Sequence, residues 1–276
     1  MKIGFIDYYL DEWHADNYPR MLREASAGEI EVAYAYGKID SPLTGKTSEE
    51  WCGEYGVACC GTIEEVIEKS DALIVLSPDN CEMHEELSRL PLRSGKKTYI
   101  DKTFAPDKRT AEAIFALGEA HGTPCYSTSA LRFATEYEAL RGRKVESMST
   151  WGPNGLETYG IHQLEPVMML MQGSAARVMA VANGDWTNLL MEWEDGRSAS
   201  VLCTGGDSPF AANLRLEEGC KFLTVESDFF GGFIKNLVEF FRTGKIPVSH
   251  QETIAIMAVR EAALRAAGNP GVWIPV

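Results

Sequence analysis

A chain of 276 residues exceeds what one hydrophobic core usually fills, so two domains are expected. Apolar residues make up 45% and charged residues 24%, with 11 Phe, 10 Tyr and 6 Trp, so a core can form without disulfide or metal staples. A formal charge of -14 excludes a surface built for nucleic acid or anionic membrane, both of which attract clustered Lys and Arg, and leaves small polar molecules as partners.

The seven cysteines are scattered and odd in number, with no C-x-x-C pair, which argues for reduced thiols and against a disulfide framework or zinc knuckle. The opening MKIGFID runs straight into an alternating strand without a leader-like apolar core, and no run approaches the length of a membrane span. A soluble, cytoplasmic protein is expected.

Lys2 to Asp7 reads as a buried strand, followed by a polar and aromatic stretch, Tyr8 to Tyr18, and a helix from Pro19 to Ala27. Glu31 to Tyr36 is a second strand, Gly37 to Gly45 a loop, and Ser48 to Tyr55 a short helix. Thr62 is a natural N-cap for Ile63 to Lys69, with Glu65 placed to complete a capping box. Asp71 to Leu76 is an apolar strand of the parallel type, Glu82 to Leu90 a helix, and Thr98 to Ile100 a strand that ends on Asp101-Lys102. Pro106-Asp107 then opens a helix over Ala111 to His121. Strands alternating with helices predict a Rossmann-like, doubly wound parallel sheet over residues 1–124, an α/β domain.

Residues 125–276 change rhythm and predict an α+β domain: a mostly antiparallel, open sheet with helices on one face. Its strands are Val145 to Trp151, Arg177 to Ala182, Leu189 to Trp193, Ala199 to Cys203, Asn213 to Leu216 and Lys221 to Val225, with hairpin glycines at Gly196 and Gly219. Helices are expected at Thr158 to Met171, Phe229 to Thr243 and Glu252 to Ala267, the last two stopped by Gly244 and Gly268. The open face of such a sheet leaves apolar surface, so a homo-oligomer, dimer or tetramer, is expected.

Several residues carry chemistry. A carboxylate beside an amine at a strand's C-terminal end, Asp101-Lys102, faces the ligand crevice of an open α/β sheet, where an ordinary solvated ion pair is the competing interpretation. Arg132 suits either a clamp on a substrate oxygen or an ion pair with Glu136 or Glu138. His162 and Glu165 are spaced for a shared helix face, but no third ligand is evident, so no metal is expected. The run Met168 to Met171 reads as core.

Taken in order, the turn Ala72 to Pro78 with His84 beyond, Asp101-Lys102-Thr103, Arg132, Gly160-Ile161-His162 and Gly244-Lys245-Ile246-Pro247-Val248 resemble the landmarks of the Gfo/Idh/MocA oxidoreductases, the glucose-fructose oxidoreductase and inositol dehydrogenase family, along the whole chain. The resemblance implies an NAD- or NADP-dependent oxidoreductase acting on a sugar, cyclitol or related polyol. It implies catalytic roles for Lys102 and His162, facing one cleft, and substrate contacts from Arg132, Thr158 and His162. By position, Asp7, Tyr8, Ser77, Pro78, Asp101 and Lys102 are the residues it implies beside the dinucleotide.

The chain departs from the family after its first strand. Where a G-x-G-x-x-G fingerprint belongs it has Asp7-Tyr8-Tyr9-Leu10-Asp11-Glu12-Trp13-His14, and no glycine stands between Gly4 and Gly28. Those glycines normally let the backbone approach a diphosphate at a helix N-terminus, and bulky aromatics with three acids oppose that. Weak dinucleotide binding is expected, unless Lys38 and the loop to Lys46 take over the phosphate. The alternative is a degenerate member that binds a small polar ligand, or serves as an oligomeric scaffold, without nicotinamide turnover.

Overall fold

A computed structural model describes residues 1–183 and 186–276. The chain forms two compact units, Met1–Thr128 with Phe233–His250, and Ser129–Gly232 with Gln251–Val276.

In the first unit β1 (Lys2–Asp7), α1 (Trp13–Ala25), β2 (Glu31–Gly37), α2 (Ser48–Tyr55), β3 (Ala58–Cys59), α3 (Ile63–Lys69), β4 (Ala72–Val75), α4 (His84–Arg93), β5 (Thr98–Ile100), α5 (Lys108–Ala120) and β6 (Cys125–Tyr126) alternate along the chain. The six strands are parallel in the order β3-β2-β1-β4-β5-β6. Strand order reverses beside β1, so the switch-point crevice lies at the carboxyl ends of β1 and β4, after Asp7 and Val75. All four β4 residues and all of β1 beyond Lys2 are buried, as befits strands covered on both faces.

Two local signals resolve differently from their sequence reading. Helix α1 begins at Trp13, six residues before Pro19, because the Glu12 side chain accepts from the first backbone N–H groups and Pro19 is carried inside the helix. At α3, Thr62 caps as expected, but Glu65 bonds to Gly61 and Lys69; the complete reciprocal box is formed instead by Thr47 and Glu50 at α2.

The second unit contains α6 (Thr135–Glu138), β7 (Val145–Pro153), α7 (Leu156–Met171), β8 (Arg177–Asn183), β9 (Trp186–Glu192), β10 (Ser198–Thr204), β11 (Ala211–Leu216) and β12 (Gly219–Thr224). Helix α8 (Phe229–Thr243) runs across the unit boundary, and α9 (His250–Ala267) with β13 (Trp273–Pro275) ends the chain. From Phe233 onward α8 packs in the first unit, its Phe233 ring 5.9 Å from Tyr18 and 5.5 Å from Tyr99.

The second sheet has seven strands, β12-β11-β7-β10-β9-β8-β13, antiparallel except for the β7–β10 pair. Gly196 (φ +87°) and Gly219 (φ +130°) adopt the positive φ that their hairpin loops require. The last strand, Trp273–Pro275, was not legible in sequence, being three residues long and closed by a proline. Met168 to Met171 are buried along α7, each at most 4% exposed.

Candidate active site

The carboxyl edge of the parallel sheet carries the first group of predicted residues. Asp101, immediately after β5, is fully buried, and its side-chain partners come from two elements, α1 and β5. His14 Nδ1 from α1 meets Asp101 Oδ2 in a short contact. The Tyr18 hydroxyl, also on α1, lies 3.4 Å from Oδ1, and the Tyr99 hydroxyl of β5 lies 3.0 Å from Oδ1 and 2.9 Å from the Thr128 carbonyl oxygen. The Tyr18 ring stacks on His14 at 5.0 Å. Burial alone would raise the Asp101 carboxyl, yet the His14 ring and the Lys102 charge hold it below its ordinary value. Asp101 therefore stays ionised, a fixed anion at the strand end.

Lys102, half-buried, donates to the Pro78 carbonyl at 3.3 Å and lies 3.9 Å from an Asp79 carboxylate oxygen. The turn it reaches is tightly held. Ser77 adopts φ +84°, rare for a residue with a Cβ, and donates its hydroxyl to the Asn80 carbonyl at 3.1 Å. His84, fully buried, has its two ring nitrogens 2.5 Å from the Leu76 carbonyl and 3.0 Å from the Phe104 carbonyl, bracing the turns after β4 and β5 together. Burial lowers its pKa, against the two carbonyl contacts, which favour the charged ring. Ser77, Pro78, Asp101 and Lys102 are thus brought to one edge.

Asp7 and Tyr8 are at the same edge, in a different setting. Asp7 is 1% exposed; one carboxyl oxygen accepts from the Tyr8 N–H at 2.7 Å, and Oδ2 has no hydrogen-bond partner among the described residues. Burial, with the Glu12 and Asp101 charges added, raises its pKa well above the ordinary 3.8. Burial likewise pushes Glu12 up to about 7.

The sign of the pH effect follows. A carboxyl whose folded pKa is raised contributes stability that is complete below its unfolded value and lost as pH rises through the folded one. Asp7 and Glu12 both act this way, and Asp101 acts oppositely, losing its contribution only as pH falls through its depressed value. Asp7→Asn is expected to leave stability unchanged near roughly pH 3, below the unfolded value, and to raise it near roughly pH 8, read by urea unfolding at both. An equal loss at both values would contradict a protonated Asp7.

In the second unit His162, on α7, has Nδ1 2.6 Å from the Ser129 hydroxyl, with its ring edge-on to Tyr159 at 5.0 Å. The Ser129 N–H donates to Glu165 Oε1 at 3.1 Å. Glu165 Oε2 in turn accepts from Arg132 Nη1 at 2.8 Å, and Arg132 Nη2 contacts Glu252 of α9. Of the two roles open to Arg132 the structure has the ion pair, formed with Glu165 and Glu252 in place of Glu136 or Glu138. Those two acids have other partners: Glu136 accepts from Ser227, and Glu138 pairs with Arg141. Thr158 is exposed in the first turn of α7, four residues before His162 and so on the same side of the helix.

Sequence reasoning missed Tyr18, Tyr99, Ser129 and Glu252. Spacing held a signal for the first two: Tyr18 is four residues from His14 on a helix, and Tyr99 two residues from Asp101 on a strand, each pair sharing a face. Nothing local ties Ser129 or Glu252 to α7.

A dinucleotide in the usual Rossmann seat would place its diphosphate on the first N–H groups of α1. Here Glu12 accepts from His14 N at 2.7 Å and Ala15 N at 2.5 Å, and the Asp16 N–H is already taken by the Glu12 carbonyl at 3.0 Å. The residues present do not fit a diphosphate at that helix end. Nor are the lysines beyond β2 arranged as a substitute: Lys38 pairs with Glu86 at 2.5 Å, and Lys46 with Asp11 at 3.1 Å and Glu54 at 3.0 Å.

No protein-family model matches the chain, and no curated protein is similar to it in sequence. Solved structures are similar over its whole length. A putative myo-inositol dehydrogenase from Sinorhizobium meliloti 1021 superposes with TM-score 0.73 at 15% identity, covering 100% of this chain and 99% of the other. UDP-N-acetylglucosamine 3-dehydrogenase GnnA from Acidithiobacillus ferrooxidans gives 0.78 at 13%, covering 98% and 97%. The WlbA dehydrogenase from Bordetella pertussis, solved with NADH and UDP-GlcNAcA, gives 0.74 at 12%, covering 100% and 98%. At such identities the likeness establishes the fold: a Rossmann-like parallel sheet followed by a mostly antiparallel sheet, as in these dehydrogenases.

Proposed function

We propose that a chain with this dehydrogenase fold is an oxidoreductase, transferring a hydride between NAD or NADP and a sugar, cyclitol or related polyol. The observation that carries the reading is the setting of His162: an imidazole whose Nδ1 lies 2.6 Å from the Ser129 hydroxyl, a contact that fixes the ring for proton exchange with a substrate hydroxyl. Oxidising a secondary alcohol removes the hydroxyl proton as hydride departs, and the hydride acceptor is the nicotinamide's contribution. In this reading His162 takes the proton, and Lys102 supplies a positive charge at the carboxyl edge of the parallel sheet. Asp101, locked by His14, Tyr18 and Tyr99, fixes the strand end that carries Lys102. Thr158 contacts a substrate hydroxyl, and Arg132 positions α7 through Glu165.

Titrating the chain with NADH and NADPH while following nicotinamide fluorescence tests the reading. Weak binding of one of them supports it. Absence of binding of either at millimolar concentration, in a folded sample, favours the second reading: a ligand-binding or scaffold protein without nicotinamide turnover, to which the occupied α1 terminus points.

No described helix is long and apolar enough to cross a membrane. We propose the reducing cytoplasm as its compartment, in keeping with seven scattered cysteines, none of them in a C-x-x-C pair. We further propose that copies associate through the outer face of the second sheet, where exposed Leu190, Val181 and Phe222 lie among serines and the Arg177–Glu192 ion pair. Light scattering that gives a monomer mass at micromolar concentration would count against this.

A further inference from the structure

We infer that Glu12 is the residue that sets ligand specificity at the carboxyl edge of the first unit: its carboxylate occupies the α1 donors a diphosphate requires, so phosphate-bearing ligands are held there weakly. The inference rests on the geometry of the first unit alone and stands apart from the oxidoreductase reading.

Three observations converge. First, both Glu12 carboxylate oxygens are engaged, Oε2 by the His14 N–H at 2.7 Å and Oε1 by the Ala15 N–H at 2.5 Å, which is the contact pattern a phosphate oxygen pair makes at a helix start. An entering diphosphate must break both bonds and bring its charge beside the carboxylate it displaces. Second, the connection from β1 to α1 is filled and anchored. Tyr9 is 9% and Leu10 2% exposed, where glycines would leave room for a ligand. The Tyr8 carbonyl accepts from Ile39 N at 2.9 Å, the Asp7 carbonyl from Lys38 N at 3.0 Å, and Asp11 binds the Thr44 hydroxyl at 2.6 Å. A rigid plug of this kind does not swing aside at little cost. Third, the lysines that follow β2 are not arranged to offset the loss. Lys38 and Lys46 are paired with carboxylates.

The consequence is a chosen ligand chemistry. Neutral polyhydroxy groups escape the charge repulsion at this edge, while a diphosphate meets it and loses its backbone donors.

Calorimetric titration of the full chain with ADP-ribose, which has the diphosphate but no nicotinamide, reads the inference without recourse to activity. The parent is compared with Glu12→Ser, which keeps a short capping oxygen, and Glu12→Gln, which keeps size and removes charge; circular dichroism confirms that each is folded. The parent is expected to bind at millimolar concentration or not at all, and Glu12→Ser at least about tenfold more tightly, with Glu12→Gln between them. Micromolar binding by the parent overturns the inference, as does the failure of both folded variants to bind more tightly than the parent. A polyol-dependent reduction of nicotinamide is scored separately: tightening of ADP-ribose with no turnover leaves the inference standing and removes the oxidoreductase reading.

Discussion

Arg132→Met is expected to lower stability by ~3–5 kcal/mol, because it strands a buried carboxylate whose counter-charge has gone. Arg132 and Glu165 side chains are 1% and 3% exposed, so water cannot take the guanidinium's place. Glu252, at 30% side-chain exposure, is screened and contributes less. For a chain of this length the loss corresponds to a fall of roughly 6–20 °C in melting temperature, read by calorimetry. Adding Glu165→Leu removes both charges together and is expected to return much of the loss, since a buried pair costs desolvation as well as gaining attraction. A single variant within about 1 kcal/mol of the parent would mean that the pair behaves as an exposed one. The effect reaches the candidate site, because Glu165 also receives the Ser129 N–H, and Ser129 holds His162.

The second large effect is on turnover. His162→Ala is expected to reduce the polyol-dependent rate by ~10²–10⁴, the usual size of a general acid–base contribution. Lys102→Met is expected to lower the rate in the same range, by removing the positive charge at the carboxyl edge of the parallel sheet. Both variants should bind reduced dinucleotide about as well as the parent, since both residues are assigned to the reacting end. Loss of dinucleotide affinity in step with rate would instead assign them to cofactor holding. Retention of full rate in either variant would remove it from the catalytic assignment.

Much of the fold was written in local patterns. β4 is four apolar residues buried on both faces, and Gly196 and Gly219 announce hairpins that the structure forms. What the sequence hid were features decided by partners distant in the chain. Glu is a poor N-cap by local preference, so Glu12 did not announce the start of α1, and Pro19 suggested a later one. Asp101 and Lys102 were visible as a charged strand end, but the shell that keeps Asp101 ionised comes from His14 and Tyr18, more than eighty positions away. Arg132 was legible as a charge in need of a partner. Its choice of Glu165 and Glu252 over the nearer Glu136 and Glu138 is tertiary, because Glu136 is drawn to Ser227 and the backbone N–H groups beside it.

Transfer of a labelled hydrogen tests the central claim most directly. The chain is incubated with NAD or NADP and polyols or cyclitols carrying deuterium on the oxidisable carbons, and the nicotinamide product is examined by mass spectrometry. The account predicts reduced nicotinamide bearing one deuterium, formed by the parent and strongly diminished in His162→Ala. Reduced nicotinamide absent with every polyol and cyclitol and both dinucleotides, from folded protein at dinucleotide concentrations well above the weak affinity expected, would contradict it.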